Sequence, residues 1–566
     1  MMHRLKKITR IFLKTIAGLI IVFLILFVIF KITTKISPPE IKNSLTEEYE
    51  RLVVDSSFYS IKNNWLQKNN YGLWEMYIEG EAYERGVING KLTKDLIYKQ
   101  EDAFVNQIKE MIPSESYLKF LKSFIAFFNR NIDKHVIPEY QQEIYGISQS
   151  ASEKFSFIGP NYHRILNYHA AHDIGHALQN MNLVACTAFA GWDSYSSDSS
   201  LIIGRNFDFY VGDEFAEDKI VMFCNPEQGH KFMIVTWGGM IGATSGMNDQ
   251  GLTVTLNAAK SEIPYGAATP ISLVAREILQ YASTIDEAYA IAKKRKTFVA
   301  EQLFISSAKD RKTVTIEKSP EKQALYTTTD DYLIASNHFQ SKELQRSEII
   351  HANTSDYATL YRFERVKELL KQTPELTIFN MANILRDQKG LNDKNIGMGN
   401  EKAINQLIAH HSVIFKPEEL KVWVSTSPYQ LGKFVCYDLN KVFSKANKIK
   451  EYKIIDERNL MIPSDSFLYS NDYDSFIRYK VLRTKIKKAI KTDTRIPNSA
   501  LVFNEFIALN SEFFETYVYI GDYFNHFKIY DKAFLAYKEA LMKEVPNIYQ
   551  RKNILEKIND IEINYQ

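Results

Sequence analysis

The sequence predicts an α+β protein in which a region of strands and helices lies between two helical regions. From Cys186 to about residue 445, short runs rich in β-branched and aromatic residues are bounded by Gly, Pro, Asn and Asp, as strands commonly are. These runs stand before and after a pair of helical patterns, which favours a layered α+β fold over a parallel sheet with alternating helices. The 566 residues indicate two or three domains.

The region before Cys186 is predicted to be mostly helical. In LTKDLIYKQEDAFVNQIKEMI and ESYLKFLKSFIAFFNRNI, apolar residues recur every three or four positions, which is the period of an α-helix. Residues 36–185 are therefore predicted to form a helical segment.

Two local signals are specific within residues 186–445. The sequence ATSGMNDQGLTVTLNAA predicts two strands joined by a turn at Asn-Asp-Gln-Gly. In TIDEAYAIAKKR, Thr284 is the predicted N-cap of a helix, and Glu287 is its capping-box partner.

Residues 446–566 are predicted to form a C-terminal helical extension. In YVYIGDYFNHFKIYDKAFLAYKEAL, the small and aromatic residues have the spacing of one tetratricopeptide (TPR) repeat over about residues 514–547. One such repeat cannot bury its own apolar face, so it would pack on preceding helices or bind a protein partner. An ordinary amphipathic helical hairpin explains the pattern equally well.

The N-terminus predicts a membrane anchor. Residues 1–10 are basic, and residues 11–31 form an apolar run that only Lys14 interrupts before Lys31; about 20 such residues cross a bilayer. The basic residues before this run predict a cytoplasmic tail, with the remaining chain on the periplasmic or extracellular side. The alternative is a signal peptide that is removed, which also exports most of the chain.

Composition argues against several functions. The chain has 70 Lys and Arg against 67 Asp and Glu, a net charge of +3, and it lacks a basic stripe with exposed aromatic residues, so no nucleic-acid partner is expected. No C-x-x-C pair and no glycine-rich phosphate loop occur, and no cofactor is expected. His172 and His176 stand one helical turn apart after His169, but no glutamate completes an H-E-x-x-H pattern, so no metal site is predicted.

Cys186 is the candidate nucleophile. Cys224 and Cys436 lie inside apolar strand-like runs, as structural cysteines do. Cys186 instead stands between small residues where the helical pattern gives way to strands, and the sequence RNFD follows with Arg205 and Asp208. Alternation along a strand places these two residues on opposite faces, so only a twist or a bulge would bring both side chains to one site.

The order of the motifs resembles that of a family of N-terminal nucleophile (Ntn) hydrolases. The motifs ACTAFAG, LIIGRNFDFY, GMNDQGLTVTLNAA, YLIASNHFQ, YRFERV and HSVIFKPEELKVWVS are similar to those of the acyl-CoA:6-aminopenicillanate acyltransferases (peptidase family C45), whose relatives include choloylglycine hydrolase, penicillin V acylase and acid ceramidase. The resemblance covers about residues 186–439. It implies a four-layer αββα fold, with residues 36–185 kept as a second chain. Ala185, where several relatives carry glycine, and the C-terminal extension depart from the family pattern.

The resemblance implies a nucleophile that is released by self-cleavage. The thiol of Cys186 would attack the carbonyl of Ala185, and the freed α-amine of Cys186 would then act as the base. An α-amine, with a pKa of about 7.7–8.0, suits this role near neutral pH. The implied activity is hydrolysis or acyl transfer at the amide bond of an N-acylated small molecule or lipid-like substrate, through an acyl-thioester on Cys186.

Further site residues are implied by the same motifs. Asp208 would hold the new ammonium group, and Arg205 would favour the thiolate. Asn257 and Asn337 would donate hydrogen bonds to the developing oxyanion.

Arg362 matches a family arginine near the site, although Arg365 in the same motif competes for this assignment. His338 is a candidate pocket residue, whereas His410 and His411 are expected only to help close the pocket.

Two other functions stay open from the sequence. One is an inactive, membrane-tethered binding module whose TPR-like surface recruits a protein partner. The other is a papain-like protease that uses Cys186 with a distant histidine, but the sequence around the thiol differs from that expected and the RNFD motif would have no role.

Overall fold

Two β-sheets form the centre of the protein in the computed structural model, which describes residues 2–41, 49–111, 114–170, 173, 184–209, 212–259, 266–345, 358–373 and 375–565. The strands of this described part are β1 (Leu52–Asp55), β2 (Phe58–Ile61), β3 (Asn64–Lys68), β4 (Trp74–Gly80), β5 (Val184–Gly191), β6 (Ile202–Phe209), β7 (Ile220–Pro226), β8 (Phe232–Thr236), β9 (Ser245–Asn248), β10 (Leu252–Ala258), β11 (Glu301–Ser307), β12 (Lys312–Lys318), β13 (Gln323–Tyr326), β14 (Tyr332–Ala335), β15 (His411–Lys416), β16 (Lys421–Ser425) and β17 (Phe434–Asp438). The large sheet has the order β1-β2-β3-β4-β7-β8-β9-β10-β11-β12-β13, and the small sheet has the order β14-β5-β6-β15-β16-β17.

Helices lie before, between and after these strands. In the described residues they are α1 (Met2–Thr33), α2 (Ala82–Leu92), α3 (Lys94–Met111), α4 (Glu115–Phe128), α5 (Pro138–Ser148), α6 (Asn161–His169), α7 (Ile271–Tyr281), α8 (Ile285–Lys294), α9 (Lys342–Gln345), α10 (Ala358–Gln372), α11 (Ile378–Leu385), α12 (Leu439–Lys445), α13 (Asn471–Lys491), α14 (Ser499–Leu509), α15 (Phe514–His526), α16 (Tyr530–Leu541) and α17 (Ile548–Tyr565).

The two sheets pack face to face and carry helices on their outer sides. One buried cluster joins Trp65 and Val221 of the large sheet to Ala188 and Val413 of the small sheet. A second cluster covers the other face of the large sheet with α2, α7 and α8. A third covers the other face of the small sheet with α10 and α11. The predicted α+β class is confirmed, and both faces of the central strands are buried, which explains their continuous apolar sequences.

Residues 36–185 are predicted to be mostly helical, and this prediction misses residues 52–80, which form β1 to β4. Lys62 has a φ of 53° in the tight turn between β2 and β3, and a side-chain oxygen of Asn69 accepts the N–H groups of Tyr71 and Leu73 in the next turn. The strand β4 then pairs in parallel with β7. Because this partner strand lies more than a hundred residues further along the chain, no local sequence pattern predicts the pairing.

Both local predictions in the central region are confirmed. The oxygen Thr284 Oγ1 accepts the N–H of Glu287, and Glu287 Oε2 accepts the N–H of Thr284, which completes the capping box of α8. The strands β9 and β10 pair as a hairpin, in which Asn248 Oδ1 accepts the N–H of Leu252 at 2.9 Å.

A buried ion cluster joins the segment before Cys186 to the central region. Glu143 of α5 accepts hydrogen bonds from Arg85 of α2 at 2.6 Å and from Arg276 of α7 at 2.8 Å, and all three side chains are fully buried. Burial alone would raise the pKa of Glu143, but the two guanidinium groups outweigh it and hold the pKa at about 2. The cluster therefore depends on an ionised carboxylate.

We expect Glu143→Ala to lower the free energy of unfolding by about 3–5 kcal/mol, because it leaves the buried guanidinium of Arg276 without its carboxylate partner and leaves Arg85 with Glu139 alone. Thermal and denaturant unfolding of the full chain measure this loss. Glu451→Ala is the matched control, since it removes an exposed partner of Lys453 and should leave the transition unchanged. A loss below about 1 kcal/mol for Glu143→Ala would contradict the structural importance of the cluster.

The N-terminal helix α1 contains an apolar stretch, Arg10–Thr33, that is long enough to cross a membrane. This stretch has 24 residues, a mean hydropathy of 2.9 and no buried part. A signal sequence near the N-terminus would satisfy the same criterion.

The C-terminal helices α13 to α17 pack around an apolar cluster of their own. Within the hairpin of α15 and α16, Gly521 lies against Tyr537, and a Cβ at Gly521 would approach that ring to 2.4 Å. A small residue is therefore required at this position for the two helices to approach each other.

Candidate active site

Cys186 lies near the start of β5, in an antiparallel ladder with β6. In this ladder Cys186 is opposite Phe207, and Ala185 is opposite Asp208. Because successive side chains alternate between the faces of a sheet, Cys186 and Arg205 face the large sheet, whereas Asp208 faces the helical side. The Cys186 side chain is fully buried. The Ala185–Cys186 peptide bond therefore has Arg205 on the side of the large sheet and Asp208 on the side of the helices.

Arg205 connects the thiol to the large sheet. Its Nη2 lies 3.5 Å from Cys186 Sγ and also donates to the carbonyl oxygen of Leu256 on β10. Its Nη1 donates to Ser245 Oγ on β9 at 2.6 Å. The guanidinium is therefore fixed by groups on the opposite sheet while it contacts the sulfur.

The thiol is held in its protonated form in this uncut chain. Burial raises the pKa of Cys186 to about 11; the charge of Arg205 opposes this rise, and the carboxylates of Asp208 and Glu301 add to it. A thiolate therefore forms near neutral pH only if a base or an additional positive charge is brought to the sulfur.

Asp208 is a fully buried carboxyl group near Cys186. Burial raises its pKa to about 7, although Arg362 and Arg205 both act to lower it. Neither of its carboxylate oxygens has a hydrogen-bond partner among the described residues. In the ladder its backbone is directly opposite Ala185, so this carboxyl group lies across from the bond that precedes Cys186.

Asn337, which follows β14, contacts the backbone of Cys186. Its Oδ1 accepts the Cys186 N–H at 2.8 Å and a hydrogen bond from Arg362 Nη2 at 2.6 Å. Its Nδ2 donates to the carbonyl oxygen of Ala258 at 2.8 Å. Asn337 is therefore connected at once to the candidate nucleophile, to Arg362 and to the large sheet.

Arg362, and not Arg365, lies beside Asn337. Arg362 is fixed on its other side because its Nη1 donates to the carbonyl oxygen of Glu401 at 2.8 Å. Arg365, on the same helix α10, binds Asp387 at 2.9 Å and Asp393 at 2.7 Å instead. The geometry thus separates two arginines that the sequence motif left ambiguous.

Asn257 contacts the site less directly than Asn337 does. Its Nδ2 donates to the carbonyl oxygen of Ala335 at 3.1 Å, and no hydrogen bond between Asn257 and Cys186 occurs in the described part of the chain. The side-chain amides of Asn257 and Asn337 each donate one N–H to a backbone carbonyl, and each has a second N–H. Donation to an oxyanion by these two residues therefore stays a prediction.

A buried polar network behind Arg205 was not identified from the sequence. Ser245 Oγ lies 2.8 Å from His411 Nε2, and His411 Nδ1 lies 2.8 Å from His410 Nδ1. Burial lowers the pKa of both imidazoles well below the ordinary value, so both are neutral. The adjacent histidines were the only sequence signal, and they gave no reason to connect them with Ser245.

The other histidines considered for metal binding or for the pocket have structural contacts or lie outside the described residues. His169 Nδ1 lies 2.8 Å from the carbonyl oxygen of Ile165, and His169 Nε2 accepts the N–H of Ile241 at 3.0 Å. His338 Nδ1 lies 2.9 Å from Thr359 Oγ1. His172 and His176 lie outside the described residues. Within those residues, no group of three or more His, Cys, Asp or Glu side chains is arranged to hold a metal ion.

Comparison with known proteins confirms the predicted family resemblance for the central part of the chain. Residues 195–427 match the family model of acyl-coenzyme A:6-aminopenicillanic acid acyl-transferases. The matched region contains Arg205, Asp208, Asn257, Asn337 and Arg362. This region covers less than half of the chain, and Cys186 lies before it.

One curated relative and several solved structures are similar to parts of the chain. An uncharacterized protein of Archaeoglobus fulgidus is 24% identical over 338 residues, which are 53% of this chain and 55% of that protein. The chain thus spans about half the length of the curated relative that it matches. An N-acylethanolamine-hydrolyzing acid amidase ortholog of Caenorhabditis elegans is 18% identical, covering 41% of this chain and 93% of its own, with a TM-score of 0.30. Penicillin V acylase of Agrobacterium tumefaciens is 14% identical, covering 45% of this chain and 87% of its own, with a TM-score of 0.31.

Proposed function

We propose that this chain, with its acyl-transferase family match, is a cysteine Ntn hydrolase or acyltransferase that cleaves itself between Ala185 and Cys186. It would then act on N-acyl amide bonds through an acyl-thioester on Cys186. One observation carries the proposal: separate groups serve the two reactive ends of the same residue. Arg205 lies 3.5 Å from the sulfur of Cys186, and Asn337 accepts the N–H of Cys186 at 2.8 Å.

Self-cleavage would use the thiol against its own preceding peptide bond. The sulfur adds to the Ala185 carbonyl carbon, the C–N bond breaks, and the thiol proton passes to the departing nitrogen of Cys186. Water then hydrolyses the thioester, which leaves a carboxylate on Ala185 and a free α-amine on Cys186. The register of β5 against β6 supports Asp208 as the group that holds the new ammonium. Its carboxylate has no described partner before the cut.

The freed amine supplies the base that the buried thiol lacks. It takes the thiol proton, the thiolate attacks the acyl carbon of the substrate, and the proton is then given to the leaving amine. Water or another amine releases the acyl group from the sulfur. The charges of the ammonium and of Arg205 both favour the thiolate. Asn337 and Asn257 are proposed to stabilise the oxyanion with their remaining N–H groups.

The surroundings of the sulfur favour an apolar acyl group. Cys186 shares a buried cluster with apolar and aromatic side chains, namely Phe207, Phe209, Phe215, Trp237 and Met240. The proposed substrates are therefore N-acylated small molecules or lipid-like amides. We further propose that α1 tethers the enzyme to a membrane with the catalytic part on the extracytoplasmic side. The helical layers on both packed sheets would form the four-layer αββα sandwich of this family.

Mass spectrometry and N-terminal sequencing of the purified full chain test the proposal. The expected result is one fragment that starts at the natural N-terminus and one that starts at Cys186. The fragments should co-elute without denaturant because β4 and β7 pair across the cut. Incubation with a panel of N-acyl amides should add one acyl mass to Cys186. A folded chain that stays intact and acquires no acyl group would reject the enzyme and favour the inactive binding module.

We expect Asn337→Ala to lower the turnover of an N-acyl amide by about 10²–10³-fold, the usual effect of removing one oxyanion donor. Self-cleavage should slow as well, because the Cys186 N–H loses its acceptor. Asn63→Ala is the matched control, since Asn63 lies in the turn between β2 and β3 and its substitution removes an exposed hydrogen bond to Glu79 of β4. Equal rates for wild type and Asn337→Ala would exclude a catalytic role for this amide.

A further inference from the structure

The C-terminal helices meet the catalytic region at one irregular segment, residues 394–402, which we name the clamp loop. It follows α11 and contains neither strand nor helix, so no ladder or helical hydrogen bonds fix its backbone. Its Gly397 has a φ of 82°, and a Cβ there would lie 2.4 Å from the backbone of Phe513. The extension thus packs directly against the backbone of this loop.

Polar groups of the extension hold both ends of the clamp loop. Asn510, which follows α14, pairs with the backbone of Met398: its Oδ1 accepts the N–H at 3.0 Å, and its Nδ2 donates to the carbonyl oxygen at 2.9 Å. Glu544, which follows α16, binds Lys394 and Lys402 at 2.7 Å each. The carbonyl oxygen of Glu544 also accepts from the buried Asn400 at 2.9 Å.

The clamp loop in turn fixes a residue of the candidate site. The carbonyl oxygen of Glu401, between Asn400 and Lys402, accepts the hydrogen bond from Arg362 Nη1 at 2.8 Å. Through its other nitrogen, Arg362 binds the same Asn337 oxygen that accepts the Cys186 N–H. The side chain of Glu401 is held by Gln550 of α17 at 3.0 Å. A continuous series of contacts therefore runs from the extension to the nucleophile.

A second contact reaches the apolar side of the site. Lys480 of α13 donates to Asp213 and to the hydroxyl of Tyr429. Asp213 begins the short turn that contains Phe215, and Phe215 belongs to the buried cluster around Cys186. The extension therefore also contacts the segment that carries this apolar wall.

We propose that the C-terminal extension is a positioning element of the catalytic site, and that Asn510 and Glu544 are its positioning residues. They fix the clamp loop, the Glu401 carbonyl fixes Arg362, and Arg362 sets the direction of Asn337 relative to Cys186. The surface of the extension therefore has a binding partner in the same chain, the clamp loop, and the proposal does not require another protein to bind it. The inference rests on the proposed function, because its effect is on cleavage and turnover at Cys186.

The test compares the full chain with Asn510→Ala and with the milder Glu544→Gln. The matched control is Glu505→Gln, which removes a carboxylate that binds Arg478 inside the extension and is absent from the contacts with the clamp loop given above. Hydrogen–deuterium exchange is measured on peptides that cover residues 394–402. Self-cleavage rate, kcat and KM are measured on the same preparations.

We expect both variants to speed exchange in the clamp loop and to lower the cleavage rate and kcat by about 10-fold or more, because a small misplacement of catalytic groups is costly. KM should change less than about twofold, since substrate binding is not altered. Glu505→Gln should behave as the wild type does. Faster exchange with unchanged cleavage and kcat would overturn the inference, as would unchanged exchange in both variants. A wild-type chain that is never cleaved rejects the proposed function and the inference with it, whereas a cleaved wild type with equally active variants rejects the inference alone.

Discussion

Cys186→Ala is expected to yield a single intact chain of 65.6 kDa without measurable activity on N-acyl amides. On the proposed mechanism, the substitution removes the sulfur that attacks the Ala185 carbonyl and later carries the acyl group. Losing a covalent nucleophile lowers turnover by at least about 10³-fold. Denaturing electrophoresis measures the first effect, and a mass-detected amidase assay measures the second.

Cys436→Ala is the control for this prediction. Cys436 is also a fully buried cysteine on a strand, but it lies on the helical side of the small sheet. Its substitution should leave the cleavage pattern and the turnover unchanged. If Cys186→Ala were still cut before residue 186, or if Cys436→Ala alone abolished turnover, Cys186 would not be the nucleophile.

The second large effect concerns Asp208. Its carboxyl group is proposed to orient the α-amine that acts as base, and removal of a carboxylate that orients a catalytic base lowers rates by about 10²–10⁴-fold. We therefore expect Asp208→Asn to lower kcat by a factor in this range. Measurement of kcat and KM on whatever mature fraction forms separates this effect from a failure of self-cleavage.

The same substitution should stabilise the uncut protein at neutral and alkaline pH. Burial raises the pKa of Asp208 from 3.8 to about 7, so between these values the folded state keeps a proton that the unfolded state releases. The free energy of unfolding therefore falls as pH rises through this window. In a Cys186→Ala background, which keeps the chain uncut, Asp208→Asn should raise that free energy by about 2–4 kcal/mol at pH 8. At pH 4 this gain should be absent.

Melting curves between pH 4 and pH 8 measure this difference. Asp249→Asn in the same background is the control, because Asp249 lies in the turn between β9 and β10 and is partly exposed. Its effect on the free energy of unfolding should stay within about 0.5 kcal/mol, as for most exposed substitutions. A constant difference between Asp208→Asn and its background at every pH would show that Asp208 ionises in the folded chain as it does in water.

Local physics made part of the fold predictable. The capping box at Thr284 and the hairpin at Asn248 depend on side chains that bond their own neighbours, so a short sequence window contains all the information. The site residues Arg205, Asn337 and Arg362 follow instead from the family resemblance of the RNFD, SNHF and YRFERV motifs, which implies that they lie near Cys186. In the structure Arg205 and Asn337 contact Cys186, and Arg362 contacts Asn337; the roles of all three in catalysis stay predictions.

Features that depend on distant partners could not be predicted. β4 is a strand because β7 pairs with it, and its own sequence does not reveal that partner. Arg362 and Arg365 are three residues apart on one helix, and their surroundings differ because their partners, such as Asn337 and Asp387, come from other segments. Ser245 contacts both His411 and Arg205 because the two sheets pack together. The hydrophobic periodicity of each segment gives no information about this packing.

The parallel pairing of β4 with β7 has a consequence for the lifetime of the folded protein. On the proposed mechanism the two halves of one sheet belong to separate polypeptides after maturation, although they were folded as one. Reassembly after heating would then require two diffusing chains to meet, each with a bare strand edge prone to aggregation. Maturation would make unfolding irreversible. The uncut chain would refold after denaturation, whereas the cut protein would stay active only as long as it does not unfold.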